Sequence, residues 1–213
     1  MIMSQLVPNM STTPVKGKEN TRSLLIETGI DIMLEKGFNN TGLSEVLGAC
    51  KVPKGSFYYY FQSKEDFGLQ IINTFDEKYV LELDRVLGDK SLSAVERLTS
   101  YINESIAKAE QRKCSRGCLI ANLSQEMADQ NEVFRNRLKE IIEKRRSAIA
   151  LVMQEGMSIG EISADLNAQE LAEFFLSAFE GAILRAKVKK STESLHVFKK
   201  MMFDKLFKYR QDR

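Results

Sequence analysis

The sequence predicts an all-α protein, and three observations carry that prediction. Proline is confined to Pro8, Pro14 and Pro53, so the whole chain beyond Pro53 runs without the strongest helix breaker. From there on, apolar residues recur at steps of three and four. No segment alternates apolar and polar residues convincingly enough to suggest a strand. A hydrophobic content of 43% and a charged content of 28% exclude a disordered or collagenous chain.

Residues 1–19 carry two prolines, scattered polar groups and a basic end, and read as a disordered N-terminal arm. Helical periodicity starts near residue 21, where Leu24, Leu25, Thr28, Ile32 and Met33 trace one face, and Gly37 supplies a left-handed stop. A short second helix over residues 43–50 carries Leu43, Val46 and Leu47, with Thr41 or Gly42 as its cap. Pro53 can open a third, since its missing N–H would have no partner in a first turn. Ser63 begins a capping box with Asp66, shorter than the usual Glu, ahead of the amphipathic run Phe67, Ile71, Ile72, Phe75 and Tyr79. Further helices are expected over residues 92–110, 118–129, 133–155, 168–187 and 195–209, with Gly88, Gly117, Gly156 and Gly160 in the connections.

The formal net charge of +2 gives no global sign of a nucleic-acid partner, so any such partner must be argued locally. Three cysteines, Cys50, Cys114 and Cys118, with no secretory leader pattern, point to a reducing, cytoplasmic setting. No apolar stretch approaches the roughly 18 residues of a membrane span. The single histidine, His196, cannot build a His-rich metal site, and no cofactor motif is present.

Three short helices with a tight turn between the second and third form a helix-turn-helix over residues 20–66. The third helix offers Lys54, Ser56, Tyr58, Tyr59 and Tyr60 as exposable groups, while Phe57 and Phe61 can anchor it to Val46 and Leu47. Gly55 permits close approach to a sugar-phosphate backbone. Between Val46 and Ser63 there is no acid, whereas Lys51 and Lys54 lie inside and Lys64 follows at a helix start. By composition alone, a small core helix with a tyrosine-rich surface fits as well.

The run from Thr21 to Phe75, with Gly37-Phe38 and then VPKGSFYYYFQSKEDF, resembles the DNA-binding domain of the TetR (tetracycline-repressor) family of bacterial transcriptional regulators. The resemblance implies a homodimer with two helical domains, in which the third helix enters the major groove of a palindromic operator and C-terminal helices over residues 67–213 bind a small-molecule inducer. Carried over by position, Thr41, Ser44, Lys54, Gly55, Ser56, Tyr58, Tyr59 and Lys64 would contact DNA. Lys51 stands where the family's turn usually has Gly, so a left-handed turn there would be strained, and Pro53 replaces the common Ser.

RGCLIANLSQEMAD, from Arg116 to Asp129, resembles the Gly-Cys-Leu helix start of a branch whose repressors answer electrophiles or acrylate-type compounds. Gly117 would let the chain turn and set Cys118 at a helix N-terminus near Arg112, Lys113 and Arg116, the surroundings that favour a thiolate. Chemistry alone favours an inert, space-filling Cys118, and the branch resemblance brings the sensor reading level with it. Lys187 follows as a cationic neighbour from the same resemblance. The last two helices carry Phe174, Phe175, Ala178, Ala182, Phe198 and Met202 over faces too wide for one seam, and the resemblance assigns them to a dimer bundle. Two alternatives come from other classes: a helical thiol enzyme using Cys118, which lacks an accompanying base, acid or cofactor motif, and an interaction module without DNA. The expectation is therefore a ligand-responsive repressor and not an enzyme.

Overall fold

The structure is a computed structural model and describes residues 15–207, all of whose regular elements are helical. Helix α1 (Val15–Lys36) starts earlier than the composition of the arm suggested, so residues 15–19 are helical; residues 1–14 of the expected arm lie outside the described residues. Its buried stripe is Leu25, Ile26, Ile30, Met33 and Leu34, with Leu24 exposed, so the inward face is rotated from the one expected. Gly37 ends α1 at φ +80°, the left-handed geometry anticipated for it.

Helix α2 (Leu43–Ala49) follows, then a 3₁₀ turn (Lys54–Ser56) that runs into α3 (Phe57–Tyr60). Pro53 sits just outside that turn at φ −58°. Helix α4 (Lys64–Leu87) is capped by Ser63, whose side chain accepts the Asp66 N–H at 3.0 Å. Asp66 does not close the box on Ser63 but accepts the Gln62 N–H at 2.9 Å, one residue further back. Helix α5 (Ala94–Gln111) has the complete reciprocal box between Ser93 and Glu96. Helices α6 (Leu119–Met127), α7 (Glu132–Ser158) and α8 (Ala168–Lys189) follow, the last two capped by Asn131 and Asn167. The single helix expected over residues 195–209 is α9 (Glu193–Lys199), which widens into a π-helical turn (Lys200–Leu206).

Two apolar clusters organise these elements. One unites α1, α2, α3 and the first half of α4, through Phe67, Ile71 and Ile72, with Leu119, Ile120 and Leu123 of α6 and Phe134, Leu138 and Ile141 of α7. The other joins the second half of α4 to α5, the C-terminal half of α7, α8 and α9. The cores therefore divide inside α4 and not at residue 66, and α6 packs with the helix-turn-helix. A long α4 can serve both cores because its inward stripe runs from Phe67 to Leu87, apolar on either side of the buried Asp76.

Phe175 is fully buried and packs on Tyr101, Phe179, Phe198 and Phe203, so it is core and has no surface to give a partner. Ala182, Phe198 and Met202 are also buried and only floor a shallow hollow between α8 and α9. The exposed apolar groups on these helices are Phe174, Leu184, Val188, Val197 and Met201, with Ala178 half-buried among them. This corrects the expected dimer face, because the wide apolar surfaces divide into an inner half that fills the core and an outer half that does not.

Candidate functional site

The helix-turn-helix surface is built by an aromatic wedge. Phe57, Phe61 and Phe67 are buried, with ring centroids 4.7–5.6 Å apart, and hold α3 against α4. This anchoring forces the remaining aromatic groups outward: Tyr58 is 73% and Tyr59 60% exposed. Lys54 and Gly55 are exposed beside them, Ser56 is half-buried, and Ser44 is exposed on α2. The Lys18 ammonium from α1 lies 4.0 Å from the Tyr59 ring centroid, a cation–π contact that brings a second cation to the same surface. Lys64 donates to the Asn39 carbonyl at 3.2 Å and lies over the Phe38 ring, where burial lowers its affinity for the proton.

Thr41 departs from expectation. It is fully buried, and its hydroxyl donates to the Gly37 carbonyl at 2.6 Å, so it secures the turn before α2 from inside and presents nothing to a phosphate. Lys51 adopts φ +55°, the left-handed strain anticipated from its place in the turn. Tyr60 is half-buried with its ring edge-on to Tyr59. Cys50 bridges α2 to α1, its thiol donating to the Thr28 hydroxyl at 3.1 Å.

A cavity of about 420 Å³ lies among α1, α4, α5, α7, α8 and the connection from α5 to α6. That connection holds Lys113 and Cys114 at φ +49° and +50° and Gly117 at φ +72°. Two consecutive non-glycine residues in the left-handed region store roughly 1–2 kcal/mol each. Gly117 delivers Cys118 as the N-cap of α6, as expected, and both Cys118 and the buried Cys114 line the cavity. Lys187 lines it as well, and a Cβ placed on Gly117 would stand 3.5 Å from its Cδ, so its aliphatic stem lies beside this turn. Arg112 and Arg116 also line it, whereas Lys113 does not. At the rim, Arg116 pairs with Asp31, Lys78 with Glu27 and Lys108 with Glu82.

The inner wall holds polar groups that the sequence reading missed. Arg145 is 5% exposed, with its guanidinium 3.7 Å from the Tyr79 ring centroid and 3.5 Å from Asp76; its Nε has no hydrogen-bond partner among the described residues. The Tyr79 and Tyr101 hydroxyls share a short hydrogen bond. Burial raises the pKa of both phenols, that of Tyr101 well above the ordinary value, with Arg145 opposing the rise at Tyr79. Each therefore keeps its proton at neutral pH, and since one hydroxyl donates to the other, one O–H is left to offer an incoming oxygen. Glu180 completes the wall, its carboxyl raised above the ordinary range by burial. A signal for these residues existed: Arg145 interrupts the buried stripe Leu138, Ile141, Ile149, Val152 of α7, and Asp76 follows Ile72 by one turn on the buried side of α4. A charge on a core stripe is the mark of a buried polar site.

Among the described residues no group of His, Cys, Asp and Glu could hold a metal ion, and no helix is long and apolar enough to cross a membrane. Residues 25–71 match the family model "Bacterial regulatory proteins, tetR family", and residues 94–202 match "Tetracyclin repressor-like, C-terminal domain". The chain is 35% identical to the transcriptional regulator AcuR of Cereibacter sphaeroides over 93% of this chain and 94% of that protein. It is 34% identical to the HTH-type transcriptional repressor DhaR of a Mycobacterium species, covering 92% and 94%. Among solved structures, the reduced form of Escherichia coli NemR superposes with a TM-score of 0.80 at 28% identity, covering 87% of this chain and 96% of that one.

Proposed function

This chain belongs to the TetR family of bacterial regulatory proteins, and from that premise we propose a cytoplasmic homodimeric repressor that leaves its operator when a small thiol-reactive electrophile adds to Cys118. That it is a ligand-responsive helix-turn-helix regulator follows from the family and from relatives that are regulators and repressors. The observation that carries the finer reading is a cysteine at the N-cap position of a helix on the wall of a cavity that also holds a buried arginine and two protonated phenols.

The chemistry that fits is addition to an activated alkene. The Cys118 sulfur bonds to the β-carbon, the alkene π pair moves toward the carbonyl, and the α-carbon takes up the proton that the thiol released. Arg145 and the Tyr79–Tyr101 pair are suited to the oxygen on which negative charge develops. Lys187, whose aliphatic stem lies beside Gly117, adds a second positive charge to the lining of the same cavity.

On the DNA side, Lys54, Gly55, Ser56, Tyr58 and Tyr59 form the reading surface, with Ser44 and Lys64 at its edges and Lys18 added to it. On the dimer side, Phe174, Ala178, Leu184, Val188, Val197 and Met201 are the groups available for a four-helix contact between α8 and α9 of two copies. Both are tested by gel shift with the promoter DNA beside the protein's own gene. Binding should be palindrome-specific, weaken as salt rises and reverse on adding N-ethylmaleimide. Affinity no better than for random duplex would defeat the proposal.

A further inference from the structure

Helix α6 runs from the cavity to the turn between α1 and α2. Its N-cap, Cys118, stands on the cavity. Glu126, eight residues further along, lies about 12 Å away at 1.5 Å per residue. There Glu126 reaches across to the turn between α1 and α2: one carboxylate oxygen accepts the Phe38 N–H at 2.7 Å and the other accepts the Asn39 N–H, also at 2.7 Å.

The turn is shaped for this grip. Gly37 has Glu126 Oε2 2.5 Å from where a Cβ would stand, so the absence of a side chain there admits the carboxylate. The Asn39 amide also donates to Gln130, just past the end of α6, at 3.2 Å. Meanwhile the apolar face of α6 is buried in the same cluster as Val46, Leu47 and Phe57 of the helix-turn-helix. Two charge-assisted bonds from adjacent backbone amides to one carboxylate fix distance and orientation together. Any shift of α6 must therefore carry the turn, and α2 behind it, or break both bonds.

We propose that Glu126 is the positioning residue that couples the effector cavity to the DNA-reading surface, by bolting the far end of α6 to the α1–α2 turn. The proposal deepens the operator-binding reading, and only one arm of its test rests on Cys118 as the sensor. The full-length dimer is used, with an operator selected by the purified protein from random duplexes. Alkylating Cys118 with N-ethylmaleimide, mapped by peptide mass spectrometry, should weaken operator binding by at least about tenfold when Glu126 is present and by less than about twofold in Glu126→Ala. Glu126→Gln keeps one acceptor oxygen and should respond at an intermediate level. A Glu126→Ala protein that loses as much affinity on alkylation as the unsubstituted one overturns the proposal.

The second arm needs no inducer. Because coupling is reciprocal, operator binding should slow hydrogen exchange of the α6 backbone amides by at least about fivefold, and this slowing should vanish in Glu126→Ala. Exchange in α6 that ignores the operator in the unsubstituted protein, or slows equally in Glu126→Ala, overturns the coupling whatever alkylation does. Operator affinity that ignores alkylation while α6 still slows defeats the sensor reading alone.

Discussion

Replacing Lys54 by Ala tests whether the acid-free surface of the recognition helix is a phosphate contact. Lys54 is exposed at the first turn of the 3₁₀ segment, so its removal should change folding stability by no more than about 0.5 kcal/mol. Each phosphate neutralised in a duplex contributes about 0.9 to the slope of log affinity against log salt, and the dimer carries the lysine twice, so the slope should fall by roughly 1.8. Over a fourfold rise from about 50 to 200 mM salt, a difference of that size amounts to roughly twelvefold. The loss of affinity caused by the substitution should therefore be about twelve times larger at the lower salt. Fluorescence anisotropy with the selected operator at both concentrations measures this directly. A loss equal at the two concentrations would refute the phosphate assignment. Tyr59→Ala provides the contrast, with a loss of about 1–3 kcal/mol that depends on base sequence and leaves the slope alone.

The other expectations concern the body. Phe174→Glu puts a charge on the exposed face of α8; if that face is the dimer contact, sedimentation should show monomers and operator affinity should fall at least about a hundredfold, and an intact dimer would exclude this face. Arg97 is buried and donates to the Leu87 carbonyl at 2.7 Å and to Glu155 at 2.5 Å, so Arg97→Ala should cost about 3 kcal/mol and lower Tm by roughly 6–12 °C, whereas a drop of under about 2 °C would show these bonds to be dispensable. Glu180 has its carboxyl pKa raised by burial, so its ionisation works against the native state: the penalty is absent below the ordinary value of 4.5 and develops as pH rises from there through the folded value. Glu180→Gln should accordingly raise stability at pH 7 and leave it unchanged at pH 4, as denaturant unfolding at the two pH values would show, and a gain independent of pH would contradict the assignment.

Local chemistry made much of the fold legible. Gly37, Ser63 and Gly117 each act through their own backbone or one short bond, so their positions announce their roles. Lys51 was legible for the same reason. Long-range partnership was not. The buried stripe of α1 is not legible in the sequence because Leu24 is as apolar as Ile30, and only tertiary packing separates them. Thr41 looks like any exposed helix-start hydroxyl until its burial is known. The aromatic groups of α8 and α9 could be counted from sequence but not divided into core and surface. Glu126 stands 88 residues from Phe38 and meets it through a fold that no spacing rule encodes. Arg145 and Asp76 were within reach, because each places a charge on an otherwise apolar stripe.

Operator affinity of the unsubstituted protein and of Cys118→Ser, each measured before and after stoichiometric N-ethylmaleimide, tests the central claim most directly. Equal affinities are expected before treatment, with a loss of at least about tenfold in the unsubstituted protein afterwards and no change in Cys118→Ser. A loss of equal size in Cys118→Ser, or an unsubstituted protein that stays bound with its Cys118 alkylated, would contradict it.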